Sequence, residues 1–306
     1  MVRQRKKRGR DISGIIVLDK PAGMSSNGAL QHVKRIYNAN KAGHTGNLDV
    51  PATGLLPICL GEATKVSAYL LDSNKTYRTR CKLGVTTTTA DAAGEVLTNS
   101  TVPEISESDF EQVLKKFIGE IEQVPPMYSA LKHNGKRLYE LAYKGIEVER
   151  KARTITIHSI KLLDLSNDEF EIAVSCTKGT YIRTLAEDIG RELDCGAHIL
   201  TLRRLGAGPF NESQMMTPAQ LQEVAEQGFE QLDNLLLPMD IALVDFPEVR
   251  LSEDVAYYLC QGQVVSVSGL PKSGRLRIYN NSDQFLGLGE VTDDGRLAPK
   301  RLINIV

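Results

Sequence analysis

The chain has 306 residues, 42% hydrophobic and 25% charged, with a formal net charge of -1. That balance excludes a disordered or fibrous protein and a uniformly basic nucleic-acid binder, and it leaves enough chain to bury a sizeable core. No apolar run approaches the roughly 20 residues of a membrane helix, no signal-type apolar h-region follows the basic start, and the five scattered cysteines form no C-x-x-C pair, so a membrane span, secretory leader, disulfide framework or zinc site is not expected, and a reducing, cytoplasmic setting is.

Charge is unevenly placed. Arg3, Arg5, Lys6, Lys7, Arg8 and Arg10 fall in the first ten residues, leaving 31 basic against 38 acidic side chains in the rest. Residues 1–10 therefore read as a disordered basic arm, either gripping phosphates or simply solvated.

In chain order, residues 12–18 (ISGIIVL) predict a buried strand, and Ser25 and Ser26 can cap a helix through Leu30, Val33 and Ile36. Residues 43–57, rich in Gly, Pro and Thr, predict an irregular loop. A helix is expected near 63–71, a strand from Thr76 to Leu83 and a Thr-rich loop over 84–94. Ser108 and Glu111 stand at capping-box spacing before a helix over about 109–118.

Residues 123–152 predict a long insertion, with bases such as Lys132, Arg137, Lys144 and Arg150 around Tyr128, Tyr139 and Tyr143. Residues 154–162 and 168–176 alternate apolar and polar, as adjacent strands do. A helix follows Tyr181, then a strand over 199–205, and Thr217-Pro218 opens another helix. After the segment between Pro238 and Pro247, short strands with turn signals predict a small β-rich C-terminal domain.

The densest punctuation is Gly43-His44-Thr45-Gly46-Asn47-Leu48-Asp49-Val50-Pro51-Ala52-Thr53-Gly54. An aspartate held on such a backbone is a candidate functional carboxylate, and equally a turn Asp bonded to its own backbone. The run is neither a P-loop nor a Rossmann fingerprint. There is no G-x-S-x-G, and no paired histidines suggest a metal. A glycoside hydrolase would need a second carboxylate at a defined separation, and no partner for Asp49 stands out.

The run GHTGNLDVPATG resembles the catalytic signature of the bacterial tRNA pseudouridine synthase B family. Four further blocks agree in order: Leu18 to Ser26 (LDKPAGMSS), Gly61 to Lys65 (GEATK), Tyr128 to Lys132 (YSALK) and Lys178 to Arg183 (KGTYIR). The Leu202-Arg203-Arg204 stretch with Ala207-Gly208 also fits. The chain departs from the pattern at Val50, where the family has proline, and at Thr88 and Ala93 in its acidic Thr-Asp-Thr stretch.

The resemblance implies an α+β fold: a central mixed, largely antiparallel β-sheet flanked by helices over 11–247, then a β-barrel-like, PUA-like RNA-binding domain over 248–306. It implies isomerisation of a uridine to pseudouridine at position 55 in the T loop of tRNA, by base flipping, without cofactor or metal. Asp49 corresponds to the essential carboxylate, Arg183 to its ion-pair partner and Tyr77 to the aromatic stacked on the flipped base. His44 corresponds to the wedge filling the vacated space. Tyr181 and Leu202 correspond to pocket residues, and Lys20 and Lys65 to contacts with phosphate or the pocket wall. The insertion over 123–152 resembles a mobile thumb closing on the T arm, and the C-terminal domain would approach the acceptor end. The family acts as a monomer. The departures at Val50, Thr88 and Ala93 motivate an alternative, an RNA-binding and folding helper with weakened catalysis.

Overall fold

The structure is a computed structural model that describes residues 9–304. Five bases of the arm, Arg3, Arg5, Lys6, Lys7 and Arg8, lie outside the described residues. Arg10 lies inside them: it forms an ion pair with Asp233 and stacks on Phe229, 4.1 Å from the ring centre.

From the N-terminus the chain forms β1 (Gly14–Lys20), α1 (Ser26–Ile36), β2 (Ala42–His44), β3 (Thr53–Leu60), α2 (Ser67–Asp72), β4 (Lys75–Leu83), β5 (Val85–Thr87), β6 (Val96–Asn99), α3 (Glu107–Lys115) and β7 (Gly119–Gln123). Then come β8 (Lys132–His133), β9 (Lys136–Arg137), α4 (Leu138–Ala142), β10 (Arg153–Ser166), β11 (Glu169–Cys176), α5 (Ile182–Glu192), β12 (Ala197–Ala207), α6 (Pro218–Glu226) and α7 (Phe229–Asp233). The last elements are β13 (Glu248–Leu251), α8 (Glu253–Cys260), β14 (Gly274–Asn280), β15 (Phe285–Val291) and β16 (Leu297–Leu302).

The central sheet runs β1-β3-β12-β4-β11-β10-β7, with β2 beside β3. Every pair is antiparallel except β12 with β3, so the sheet is mixed and largely antiparallel, as the family resemblance implied. Its faces are covered differently. On β1, Ile16 and Leu18 pack under α1, α6 and α7, while Ile15 and Val17 pack with Leu55, Cys59 and Phe210 on the other side. A strand buried on both faces has to be apolar throughout, which is why IIVL runs without interruption. On β4 one face joins the core beneath α3 and α5, through Cys81 and Leu83. The other carries Arg78 and Arg80, paired with Glu169 and Glu171 of β11. The arginines are exposed at their ends of these pairs, while Glu171 is buried between them.

Local chemistry sets the helix ends. The Ser25 hydroxyl accepts the Gly28 amide at 3.0 Å and opens α1. The cap of α3 lies two residues before the expected one: Ser106, not Ser108, accepts the Asp109 amide. Both serines precede an acid at the same spacing, and burial of Phe110 and Leu114 selects the earlier register. The stretch 43–57 is not wholly irregular either: β2 and the first half of β3 occupy it, because Leu55, Leu56 and Ile58 are buried in the sheet. The Thr-rich segment closes as the ribbon β5–β6, and the helix expected over 63–71 is a 3-10 turn (Gly61–Lys65) followed by α2.

The C-terminal sheet, β13-β14-β15-β16, packs against α8 around Leu251, Leu259, Ile278 and Leu297. Its seam with the central sheet is apolar: Val66, Leu243 and Leu288 are buried together, with Tyr69 edge-on to Phe246. Lys65 and Glu62 extend the seam. The Lys65 ammonium donates to the Leu302 carbonyl at 2.8 Å, and Glu62 accepts the Asn304 amide at 2.7 Å.

Candidate active site

The loop from Asn47 to Ala52 leaves β2 and returns as β3, and its shape is set by hydrogen bonds rather than by proline at position 50. The Ala52 amide closes on the Asp49 carbonyl at 3.1 Å, and the Val50 carbonyl accepts the Gly23 amide at 2.9 Å. The Ser26 hydroxyl bonds both the amide and the carbonyl of Leu48. Val50 turns its side chain outward, half exposed, so this departure from the family pattern leaves the backbone beside Asp49 anchored.

Asp49 faces Arg183 from the first turn of α5. The Arg183 Nε lies 3.0 Å from Asp49 Oδ2. The other guanidinium nitrogens donate to the Thr89 carbonyl at 2.9 Å and the Tyr128 carbonyl at 2.7 Å. One side chain thus ties the carboxylate loop, the Thr-rich segment and the root of the 123–152 insertion together. Arg183 is buried, which rules out a surface helix arginine.

A second carboxylate, missed in the sequence as a partner, stands nearby. Asp91 lies 3.8 Å from Arg183. Its Oδ1 accepts the Thr89 hydroxyl at 2.6 Å and the Ala93 amide at 3.0 Å. Those bonds occupy it as a brace for the Thr-rich turn, and they are made by the backbone of Ala93, so the missing acid there costs the turn nothing. Asp49 keeps its oxygens toward a cleft lined by Ala52, Asp91, Ile199 and Leu202. A wider cavity beside it, between the insertion root and α5, holds Thr184 and Arg150 but not Asp49.

Electrostatics around Asp49 are opposed. Burial raises its carboxyl above the usual range, Arg183 pulls it down, Asp91 raises it and Lys20 lowers it. Lys20 itself corrects the sequence reading. It is neither solvated nor available to phosphate: it is fully buried and donates to the carbonyls of Pro21, Met24 and Val50 at 3.0, 2.7 and 3.4 Å. Desolvation lowers its ammonium to about 8, against the pull of Asp49.

Tyr77 sits on β4 opposite Arg204 of β12, and Leu202 lies two residues along the same face, opposite Thr79. Both pack on the core beneath α5. Burial raises the Tyr77 phenol, with Arg204 opposing. Tyr181 caps α5, its backbone held at both polar groups by Gln123 at 2.8 and 3.1 Å. Burial raises its phenol too, and Asp49 is among the charges it feels. His44 ends β2 at the entrance of the loop; burial lowers its imidazole, and its buried Nδ1 has no partner among the described residues. Lys65 is the exception to the gathering. It is committed to Glu62 and Leu302 at the interdomain seam, away from the carboxylate.

The sequence reading named Arg204 only as part of a block. It is a buried cation without a carboxylate partner among the described residues, and no local pattern announces that. Among the described residues no group of His, Cys, Asp and Glu is placed to hold a metal ion.

A sheet of this topology, with an ion-paired aspartate presented at the rim of a cleft, belongs to the class of RNA uridine isomerases, and comparison with known proteins agrees over the whole chain. A family model described as TruB family pseudouridylate synthase (N terminal domain) matches residues 34–182. Models described as tRNA pseudouridylate synthase B C-terminal domain and Pseudouridine synthase II TruB, C-terminal, match 183–244 and 247–303. The tRNA pseudouridine synthase B of Nitrosococcus oceani is 56% identical over 303 residues, covering 99% of this chain and 98% of that protein. That of Serratia proteamaculans is 50% identical, with 97% of each covered. Among solved structures, a Cbf5-Nop10-Gar1 complex contains a chain with a TM-score of 0.73 and 27% identity, covering 96% of this chain and 84% of that one. The chain belongs to the TruB family of pseudouridine synthases.

Proposed function

We propose that this pseudouridine synthase, which acts on tRNA as its relatives' names state, isomerises the uridine at position 55 of the T loop, with Asp49 as the essential carboxylate. The observation that carries this reading is the Asp49–Arg183 pair at the rim of a cleft whose remaining wall, Asp91 apart, is apolar.

The reaction breaks the C1'–N1 bond, turns the uracil and joins C1' to C5, with loss of the C5 proton and gain of a proton at N1. It needs one ionised carboxylate, as nucleophile at the sugar or as base. It also needs a pocket that holds the detached ring. Flipping the uridine out of its stack costs a few kcal/mol. His44, at the entrance of the carboxylate loop, fills the space left behind. The Tyr77 ring stacks on the flipped base, Leu202 packs its other side, and Tyr181 lines the pocket. Arg183 keeps Asp49 ionised once RNA has covered it.

The 123–152 insertion closes on the T arm as a thumb. Its exposed Tyr143 and the surrounding bases suit stacking and phosphate contact. The C-terminal sheet approaches the acceptor end. The enzyme works in the cytoplasm as a monomer, without cofactor. The alternative is an RNA-folding helper with weakened catalysis, motivated by Val50, Thr88 and Ala93; the anchoring of Asp49 and Asp91 beside Val50 and Ala93 favours the catalytic reading.

The test is an unmodified tRNA transcript incubated with the protein and mapped chemically for pseudouridine. Product at position 55 is expected. No product under conditions where the tRNA binds would defeat the proposal.

A further inference from the structure

β12 carries Arg203 and Arg204 in succession, and strand alternation sends them to opposite faces. Arg203 turns outward. It forms a bidentate pair with Asp19, both bonds 2.9 Å, and a longer contact to Glu212. Arg204 turns inward and is 1% exposed, the largest of the fully buried side chains.

Arg204 faces no carboxylate among the described residues, although a buried charge is costly unless compensated. Its compensation is specific. Nε donates to the Leu55 carbonyl at 2.6 Å and Nη1 to the Asn47 carbonyl at 3.4 Å, while buried Nη2 makes no well-formed hydrogen bond among the described residues and the guanidinium lies close enough to the Tyr77 phenol to lower its pKa against burial. Asn47 stands two residues before Asp49 and Leu55 six residues after it. The Arg204 backbone adds a third hold: it pairs with Gly54 in the parallel contact of β12 with β3. That approach is so close that a Cβ on Gly54 would lie 2.3 Å from the Arg204 carbonyl oxygen.

An apolar side chain of similar length would fill this space without the desolvation cost of a buried cation, but it would leave the Leu55 and Asn47 carbonyls unmet. What it could not do is grip the loop at entry and exit. On its other side Arg204 stands directly across from Tyr77 in the antiparallel register. One residue therefore touches both the loop that presents the carboxylate and the strand that presents the aromatic ring.

We infer that Arg204 is a positioning residue of this enzyme, fixing the Asn47–Leu55 loop so that Asp49 meets the sugar of a uridine stacked on Tyr77. It touches no substrate atom. The inference rests on Asp49 being the essential carboxylate, as proposed above. Its charge also depresses the ammonium of Lys20 and the imidazole of His44, consistent with its place beneath the loop.

The experiment compares Arg204→Lys, Arg204→Gln and Arg204→Met with the parent and with Asp49→Asn. The substrate is a tRNA transcript tritiated at uridine C5, whose label is released as the new C–C bond forms. Thermal unfolding identifies which variants are folded. A misplacement of about 1 Å can cost about 100-fold in rate. The expected result in folded Arg204 variants is a kcat loss of about that size, with KM for tRNA within about threefold of the parent. Lysine does not rescue, since one ammonium cannot reproduce the guanidinium fork.

A kcat within about tenfold of the parent in any folded variant overturns the inference, as does a loss carried by KM. If no Arg204 variant folds, the residue is structural and the inference falls. If Asp49→Asn retains the parent's kcat, the site reading itself fails. If Asp49→Asn is inactive while Arg204 variants turn over normally, only the positioning role fails.

Discussion

Arg183 and Asp49 meet at 3.0 Å but are unequally buried: the guanidinium side chain is 7% exposed and the carboxylate 45%. The cation is fixed by two carbonyls from other segments. The anion is held by its loop and faces the cleft. Here the charge that can react is presented, and the charge that supports it is withdrawn from substrate.

Asp49→Asn should abolish isomerisation, lowering kcat by about 1,000-fold or more, as loss of an essential acid–base or nucleophilic group does. Binding of tRNA should survive, which filter binding would check. Stability should respond in the opposite sense. The folded Asp49 carboxyl titrates above its usual value. Its contribution is therefore present at low pH and lost as pH rises through the folded pKa. The variant should accordingly gain thermal stability relative to the parent as pH rises from about 4 toward neutrality. A difference that shrinks over that range would contradict this.

Replacing Arg183 by methionine removes the main charge holding Asp49 ionised. The carboxyl pKa, already raised by burial, should rise further. The acid limb of the rate profile should move to higher pH, so activity at pH ~6 falls more than at pH ~8. Parallel profiles for variant and parent would show that Arg183 does not tune Asp49.

Lys20 should impose an alkaline limb. Its ammonium titrates near pH 8. On deprotonation three donor hydrogens become two, while three carbonyls compete for them. The rate should fall above about pH 8, and Lys20→Met should lack that titration. Leaving those carbonyls unmet should also destabilise the variant by about 1–3 kcal/mol. Because the folded pKa is depressed, the parent gains stability as pH rises from about 8 to 10.5. The gap in unfolding midpoint should widen over that window.

Gly54→Ala tests the contact of β3 with β12. Gly54 has φ +100°, and the added methyl would meet the Arg204 carbonyl oxygen at 2.3 Å. Backbone strain and forced separation together should cost at least about 2 kcal/mol, read by denaturant unfolding.

What was legible in the sequence follows the range of the interactions. The cap at Ser25 is decided within one turn, and a local rule finds it. The cap of α3 is equally local, but Ser106 and Ser108 satisfy the rule alike, and only the packing of Phe110 chooses between them. The strand β3 hid behind Gly54 and Pro57, whose punctuation outweighed the apolar run LLPICL. At the site, Asp49 and Arg183 come from distant segments, and their pairing was visible only through family resemblance. Lys20 and Arg204 were misjudged or passed over for one reason: a lysine or arginine in a sequence reads as solvated. Only the surrounding carbonyls of Pro21, Met24, Asn47 and Leu55 reveal otherwise.

The seam formed by Val66, Tyr69, Leu243, Phe246 and Leu288, closed by Lys65 and Glu62, joins the C-terminal sheet to the segment that leads straight into β4 and Tyr77. The span between that sheet and the carboxylate is therefore built into the protein rather than chosen by the substrate. With the C-terminal sheet reading RNA as proposed, the molecule works as a calliper. An RNA arm lengthened or shortened by a base pair would seat at one jaw and miss the other, and discrimination among RNAs then needs no reading of their sequence.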